Sequence, residues 1–213
     1  MVTNEFWLER WQSGRIGFHR DEVNPWLVQY WPQVARGAKV LVPLCGKSAD
    51  LLWLANQGYE VTGVELSPMA VVQFFGDNDL TYHTEQVGNV KIHKANDLPL
   101  RIVEGDYFDF DETGFDACYD RAALVAMPEE KREQYVLHTK QRLSPQAALL
   151  LITLSYDGEQ MGPPFSVLDF EVTELWGEWI RKVASEDLLQ VDERYQGLDR
   201  TFYEETVWRI TTQ

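Results

Sequence analysis

The sequence has few of the features that mark secreted or membrane proteins. Its 213 residues include only two cysteines, Cys45 and Cys118, which lie far apart among apolar neighbours. We therefore expect buried, reduced thiols and no disulfide framework. No run of about 18 apolar residues occurs, so no membrane span is predicted. The first residues lack a basic segment followed by an apolar core, which predicts no secretory signal and a cytoplasmic location.

Positive charge is also scarce. The chain has 19 Lys and Arg against 34 Asp and Glu, a formal net charge of −15 at pH 7. Nucleic-acid binding depends on Lys and Arg that displace counterions from phosphates, and no basic run is present, so neither nucleic acid nor an anionic membrane is an expected partner. An acidic field mildly favours a cationic small ligand. The four histidines are scattered and show no metal-ligand spacing with the cysteines, so no metal is expected.

The length and the composition predict a single domain. The chain is 45% apolar and 25% charged, which are ordinary globular values, and 213 residues suit one well-packed core. Residues 1–37 are rich in aromatics and predict two short helices, in "NEFWLERWQ" and "NPWLVQYWPQV". Residues 38–213 differ in pattern, with alternating strand-like and helix-like stretches, and are predicted to form the core of the domain.

From Lys39 onward, strand-like and helix-like stretches alternate, which predicts an α/β fold with a mostly parallel sheet covered by helices on both faces. The strand-like runs are "KVLVP", "YEVTGVEL", "LRIVEGDYF", "FDACYDR" and "AALLLITLS". The helix-like runs are "SADLLWLANQG", "SPMAVVQFFGDNDL" and "PEEKREQYVLHTKQRLS". Near the end, "DLLQVDERY" and "RTFYEETVWRIT" predict an antiparallel hairpin joined by the turn "QGLD". The segment 81–97 is polar, which predicts an insertion between the regular elements of the core.

Glycine is scarce where a phosphate-binding loop would need it. The turn "PLCGKSADL" contains GKS, but a P-loop requires a first glycine at the position that Leu41 occupies here. The dinucleotide fingerprint G-x-G-x-x-G is also absent, because Gly46 is the only glycine in the turn. Neither a nucleotide triphosphate nor a pyrophosphate is therefore expected at this turn.

The remainder of a nucleoside-binding unit is nevertheless present. Glu65 ends the second strand about 20 residues beyond the turn, where a carboxylate meets ribose hydroxyls in such folds. A ribose-binding acid without a pyrophosphate loop indicates a nucleoside that lacks phosphate, and S-adenosylmethionine is the common one. Its sulfonium suits an aromatic-rich entrance, since cation–π attraction is worth roughly 0.5–2 kcal/mol per contact. A solvated strand end is the alternative interpretation of Glu65.

Four stretches, spread in order over nearly the whole chain, resemble the bacterial thiopurine S-methyltransferases. They are "FWLERWQSGRIGFH", "VLVPLCGKSADLLWLANQGYEVTGVELS", "YDRAALVAMP" and "GPPFSV". The turn "PLCGKS" in place of a glycine-rich loop is distinctive of that family. The resemblance implies a Rossmann-like, seven-stranded, S-adenosylmethionine-dependent fold that methylates the sulfur of aromatic or heterocyclic thiols.

The resemblance also implies roles for particular residues. Those that match cofactor contacts of the family are Trp11, Leu44, Glu65 and Arg121. Arg121 is in addition the expected catalytic residue, placed where the methyl group is delivered. Phe18 and Arg194 match residues of the acceptor site, and the N-terminal helix with Phe18 would form a lid. An exposed ion pair between Asp120 and Arg121, and a solvated Arg194 on a strand, are the structural alternatives.

The methyl transfer that the resemblance implies needs little acid–base catalysis. An aromatic thiol is largely thiolate near neutral pH, so we expect no dedicated base and interpret His19 as structural or solvent-facing. The physiological acceptor stays open, since selenium or tellurium species or small thiols could replace thiopurines. A nicotinamide-dependent oxidoreductase and a non-catalytic cofactor-binding module are the alternatives from other classes. The protein is expected to be a monomer that acts on a small thiol.

Overall fold

The strands of this chain assemble into one mixed sheet. A computed structural model describes residues 2–88, 90–159 and 162–210. Within them the strands are β1 (Lys39–Pro43), β2 (Glu60–Glu65), β3 (Tyr82–Val87), β4 (Val90–Ala95), β5 (Leu100–Glu104), β6 (Phe115–Arg121), β7 (Leu143–Tyr156), β8 (Arg181–Asp187) and β9 (Tyr203–Ile210). The helices are α1 (Asn4–Gln12), α2 (Pro25–Tyr30), α3 (Asp50–Asn56), α4 (Pro68–Asp77), α5 (Glu129–Arg142), α6 (Asp169–Trp176) and α7 (Leu188–Val191). Short 3₁₀ turns occupy Tyr107–Asp109 and Leu124–Ala126.

The strand order is β3-β4-β5-β2-β1-β6-β7-β9-β8. The five central strands, β5 to β7 in this order, are parallel, and β4, β9 and β8 pair antiparallel at the two sides. This arrangement confirms the predicted α/β fold and its five parallel strands. Because parallel strands end at the same edge, the carboxyl ends of β1, β2, β5 and β6 meet there.

Two apolar layers cover the sheet, as a parallel sheet requires. One layer packs Leu27, Leu54 and Phe74, from α2, α3 and α4, onto one face. The other packs Tyr135 from α5 and Val172 from α6 onto the opposite face. Both cysteines are buried and unpaired, which confirms that prediction. Among the residues that the structure describes, no helix is both long and apolar enough to cross a membrane.

The expectation of seven strands is wrong, because the sheet of the described residues has nine. The segment 81–97 forms a hairpin, β3 and β4, that extends the sheet beyond β5. Its outer strand β3 is exposed on nearly every residue. An edge strand that faces solvent on both sides carries no apolar alternation, so its polar sequence resembles a loop.

The predicted C-terminal hairpin is half right. "RTFYEETVWRIT" forms β9 from Tyr203 to Ile210, and its last residue lies outside the described part of the chain. Its partner, however, is β8, not "DLLQVDERY". The latter begins as the short helix α7, because the Asp187 carboxylate accepts a hydrogen bond from Leu189 N at 3.1 Å and caps it. The connection to β9 is therefore a long one, over 188–202.

Both predicted N-terminal helices form, but the second is short. Asn24 caps α2 by accepting from Trp26 N at 2.8 Å, and Pro25 occupies its first turn. The helix ends at Tyr30, where the sequence predicts a run to Val34. Pro32 disfavours helical geometry at Trp31, whose ψ is 129°.

Candidate active site

A cavity of about 530 Å³ lies at the carboxyl edge of the parallel strands. Its floor is formed by the turns and strand ends after β1, β2, β5 and β6. Residues 2–20, which include α1, close over one side, and the beginnings of α7 and β9 form the far wall. Each site residue predicted from the sequence lines this cavity: Trp11, Phe18, Leu44, Glu65, Arg121 and Arg194.

The turn after β1 is tight and strained. Leu44 and Gly46 have φ values of 47° and 54°, in the left-handed region that favours glycine. A Cβ on Gly46 would lie 3.3 Å from Trp11 Cζ2, so this glycine also lets α1 pack closely on the turn. The single glycine thus lets a compact turn pack against the N-terminal helix, and the turn lacks the further glycines of a pyrophosphate-binding loop.

Glu65 is buried at the end of β2, with 6% of its surface exposed. Its Oε2 accepts from Gly46 N at 2.8 Å and its Oε1 from Ser67 N at 2.7 Å. Burial raises the pKa of this carboxyl from 4.5 to about 7, although the backbone N–H groups of Ser67 and Gly46 act to lower it. Each oxygen keeps a further lone pair for a ligand hydroxyl. The solvated strand end is therefore the wrong interpretation.

Asp106 lines the same cavity as Glu65 and was not among the residues predicted from the sequence. Gly105 follows β5, and its N–H donates to Glu65 O at 2.9 Å. The carboxylate of Asp106 accepts from Phe108 N at 2.9 Å and from Asn4 Nδ2 of α1 at 2.7 Å. The signal that could have found it is "EGDYF", an acid directly after a strand that ends at the same edge as Glu65.

Aromatic rings join α1 to the loop that follows it. Phe18 lies edge-on to Trp7 at 5.8 Å and to Trp11 at 5.7 Å between ring centroids. Trp11 is buried. Phe18 is also held through its carbonyl, which accepts from Arg121 Nη1 at 2.8 Å. The N-terminal segment is thereby fixed to the end of β6 as well as to the β1 turn.

Arg121 and Asp120 do not form an ion pair. Asp120 is fully buried, and its carboxylate accepts from Tyr135 Oη at 2.8 Å and from Leu124 N at 3.1 Å. Burial raises the pKa of Asp120 from 3.8 to about 6. Arg121 extends to the cavity, where Phe18 O is its one hydrogen-bond acceptor among the described residues. A guanidinium has five N–H donors, so most of them can serve a ligand.

Arg194 lies in the connection before β9, not on a strand. Its guanidinium donates to both carboxylate oxygens of Asp192 and lies 5.5 Å from the Tyr195 ring centroid. The hydrogen bond to Asp192 raises the pKa of Arg194, and the negative charge of Glu205 adds to the effect. Arg194 is more than half exposed but still reaches the cavity wall.

His19 does not line the main cavity. It lines a small cavity of about 40 Å³ that shares Trp11, Phe18 and Arg121 with the main one, and its Nε2 lies 3.1 Å from Asp21 Oδ1. Burial is the main cause of a lowered pKa for this imidazole. The described residues include no cluster of three or more groups that could hold a metal ion.

Comparison with known proteins places this geometry in a family. The family model "Thiopurine S-methyltransferase" matches residues 2–213. A thiopurine S-methyltransferase from Pseudomonas fluorescens (strain Pf0-1) is 45% identical, and the match covers 97% of each chain. One from Nitrosospira multiformis is 42% identical over 100% of this chain and 99% of that relative.

A solved structure of Burkholderia thailandensis 1,6-didemethyltoxoflavin-N1-methyltransferase, with bound S-adenosylhomocysteine, has a TM-score of 0.66 to this chain. The match covers 98% of this chain and 87% of the other at 19% identity, so the two proteins share the same fold. The family match over nearly the whole length confirms the resemblance inferred from the motifs. The chain therefore belongs to the thiopurine S-methyltransferase family.

Proposed function

We propose that this protein transfers a methyl group from S-adenosylmethionine to the sulfur of aromatic or heterocyclic thiols. The observation that carries this proposal is one continuous cavity with a ribose-type carboxylate, Glu65, at one end and acceptor-side arginines further along. Arg121 lies between the two regions, at the end of β6. Membership of the family supports the same reaction.

The residues present fit the cofactor. Glu65 would accept the ribose hydroxyls through its remaining lone pairs, and its buried position makes such bonds strong. Asp106 and the backbone around Phe108 would hold the base, since they offer an acceptor and an apolar ring at the same edge. Trp11 and Leu44 would flank the methionine portion, and the face of Trp11 suits a sulfonium. The turn after β1 excludes a pyrophosphate by its lack of glycines.

When bound, S-adenosylmethionine supplies an electrophilic methyl group on a cationic sulfur. The residues of the chain then have two tasks. Arg121, with Arg194 further out, would orient an electron-rich heterocycle so that its sulfur, the methyl carbon and the leaving sulfur are in line, which can lower the barrier by several kcal/mol. Residues 1–37 would act as a lid that excludes water, which would otherwise favour the separated charges.

The remaining proposals rest on the length and composition of the chain. We propose a single domain over 1–213, with the lid at 1–37 and the core at 38–213, that works as a cytoplasmic monomer on a small molecule. For an aromatic thiol that is already ionised near neutral pH, no base is assigned, because there is no proton to remove. The nicotinamide alternative would need the glycines that the β1 turn lacks.

Calorimetric titration with S-adenosylmethionine and S-adenosylhomocysteine, followed by turnover with 6-mercaptopurine, tests the proposal. Saturable binding and an S-methylated product are expected. Binding without product from any thiol or from selenium and tellurium acceptors would leave a non-catalytic binding module. Absence of binding would contradict the role of Glu65.

A matched pair of variants locates the cofactor site. Glu65→Gln replaces one acceptor oxygen with an NH₂ group that faces a backbone N–H, so we expect cofactor affinity to fall about 10-fold or more. Glu60→Gln, at the exposed start of the same strand, is the control and should bind normally. Equal affinities for the two variants would exclude Glu65 from the site.

A further inference from the structure

Glu205 is a buried carboxylate in the far wall of the cavity. It lies on β9, with 6% of its surface exposed, and pairs in register with Leu154 of β7, which lines the same cavity. Glu65 lies on β2, four strands away in the sheet order, and four spacings of about 4.8 Å separate them by roughly 19 Å. Glu205 therefore belongs to the acceptor end and not to the ribose end.

The hydrogen bonds of Glu205 are incomplete. Its Oε2 accepts from Trp26 Nε1 at 2.7 Å. Within the described part of the chain, no group donates to Oε1 and no cation lies within 4.0 Å of the carboxylate. A carboxylate can accept about four hydrogen bonds, and burial makes each missing one costly. Arg194 lies near enough for the charge of Glu205 to raise its pKa, but its hydrogen bonds among the described residues go to Asp192 and none goes to Glu205.

We infer that Glu205 is a specificity-determining residue that recognises an N–H group of the methyl acceptor. This inference rests on the proposed function. The ligand class is a heterocyclic thione, in which a ring N–H stands next to the C=S carbon. Arg121 and Arg194 can donate hydrogen bonds but cannot accept them, so they cannot recognise an N–H group. Glu205 adds the acceptor that the arginines lack.

The same contact gives Glu205 a part in the reaction. The thione sulfur forms a bond to the methyl carbon, and the bond between that methyl and the sulfonium sulfur breaks with its electron pair left on the departing thioether. Positive charge then develops on the ring nitrogen of the neutral acceptor. Glu205 accepts the N–H proton, the N–H electron pair restores the neutral heterocycle, and the proton passes from the carboxyl to solvent. The sum is one methyl transferred and one proton released.

Two acceptors separate this role from a structural one. 6-Mercaptopurine carries ring N–H groups, whereas benzenethiol has none and needs no such acceptor. For Glu205→Gln we expect kcat/KM to fall about 10- to 100-fold with 6-mercaptopurine, the effect of losing a hydrogen bond to a charged group. With benzenethiol we expect little change. Glu205→Asp keeps a shortened carboxylate and should lose less than Glu205→Gln.

Glu204→Gln is the matched control. Glu204 is the neighbouring residue on β9, does not line the cavity, and lies 3.8 Å from Lys182. We expect Glu204→Gln to leave kcat/KM unchanged with both 6-mercaptopurine and benzenethiol. Calorimetry with S-adenosylhomocysteine checks that every variant keeps its fold and cofactor site.

The outcomes are distinct. A loss confined to 6-mercaptopurine supports the inference. Equal losses with both acceptors, or no loss with either, would overturn it and leave the proposed function intact. If the unaltered protein methylates neither thiol, the proposed function fails, and this inference fails with it.

Discussion

At the scale of single residues, the site combines buried acids with one arginine whose donors are mostly unused. Glu65 and Asp120 both have raised pKa values because burial disfavours their charged forms. Their neighbours differ, however. Glu65 lines the cavity and receives only backbone N–H groups, whereas Asp120 is enclosed in the core with Tyr135. The first is arranged for a ligand and the second for the fold.

Arg121 gives the most direct test of the catalytic assignment. In Arg121→Ala the cavity loses its inner guanidinium, and we expect kcat/KM for 6-mercaptopurine to fall by about 10- to 100-fold or more, as for other hydrogen bonds to charged groups. The fold should persist, because the residue makes one hydrogen bond, to Phe18 O, and no ion pair among the described residues.

Arg121→Lys separates charge from shape. Lysine keeps the positive charge but cannot present a planar fork of donors. Partial activity is expected, with an intact circular dichroism spectrum and melting temperature in both variants. Unchanged turnover in Arg121→Ala would remove the residue from the mechanism.

Asp120 predicts a pH dependence of stability. Its folded pKa of about 6 exceeds the ordinary value of 3.8, so the folded state binds more protons than the unfolded state between these values. The free energy of unfolding that this group contributes therefore falls as the pH rises from about 4 to 6, by roughly 3 kcal/mol in all. It is constant above that range.

Asp120→Asn reveals this contribution by difference. Asparagine can accept from Leu124 N and donate to Tyr135 Oη, so it preserves the contacts without the charge. Urea unfolding at several pH values should show the variant gaining stability over the unaltered protein as the pH rises through 4 to 6. A difference that is independent of pH would mean that Asp120 titrates normally in the folded protein.

Sequence patterns located residues whose position along a strand defines their chemistry. Glu65 could be predicted because an acid at the end of the second strand, after a strand, turn and helix, lies where such folds bind a ribose. Asp106 had a weaker local signal, an acid shortly after a strand, and its significance depends on β5 lying beside β2. Glu205 had no such signal, because its significance depends on which strands are adjacent and on what α2 contacts. The pairing of Asp120 with Tyr135 likewise joins β6 to α5 across a helix packing that no local motif encodes.

At the scale of elements, α1 is attached to the core by a small number of specific contacts. Asn4 Nδ2 donates to Asp106 at 2.7 Å, and Trp11 packs on the β1 turn. The Asn4 bond is exposed, so its net contribution is about 1 kcal/mol. In Asn4→Ala we therefore expect amide hydrogen exchange in α1 to become roughly five times faster, with weaker binding of S-adenosylhomocysteine.

Gln12→Ala is the control for this experiment. It is an exposed position at the end of the same helix, and no hydrogen bond of its side chain occurs among the described residues. Mass-spectrometric hydrogen exchange should show α1 of this variant protected as in the unaltered protein. Equal acceleration in both variants would mean that the helix frays by itself and is not held by Asp106.

The sequence predicts elements well where their burial is uniform. The five parallel strands are apolar because both of their faces are covered. The errors within the sheet fall at its margins. The β3–β4 hairpin is polar because it forms an edge, and "DLLQVDERY" has strand-like composition but starts at a capping aspartate. Local capping outweighs β propensity there.

At the scale of the whole molecule, the sheet order separates the two ends of the cavity. Glu65 on β2 and Asp106, two residues beyond β5, lie on one side of β1, and the strands that hold Arg121 and Glu205 lie on the other. A bound ligand therefore connects α1, the turn after β1 and the far side of the sheet. Binding energy at this position should stabilise the fold as a unit.

Cofactor binding consequently predicts a large thermal shift. S-adenosylhomocysteine at 100 times its Kd should raise the free energy of unfolding by about 2.7 kcal/mol, because it binds only the folded state. For a chain of this size, that corresponds to a rise of roughly 5–10 °C in Tm. NAD at the same concentration should produce no shift, since the β1 turn lacks the glycines of a pyrophosphate-binding loop. Differential scanning fluorimetry measures both, and Glu65→Gln should need a higher S-adenosylhomocysteine concentration for the same rise. If NAD raises the Tm of the unaltered protein but not that of Glu65→Gln, the site binds a nicotinamide dinucleotide and the prediction is wrong.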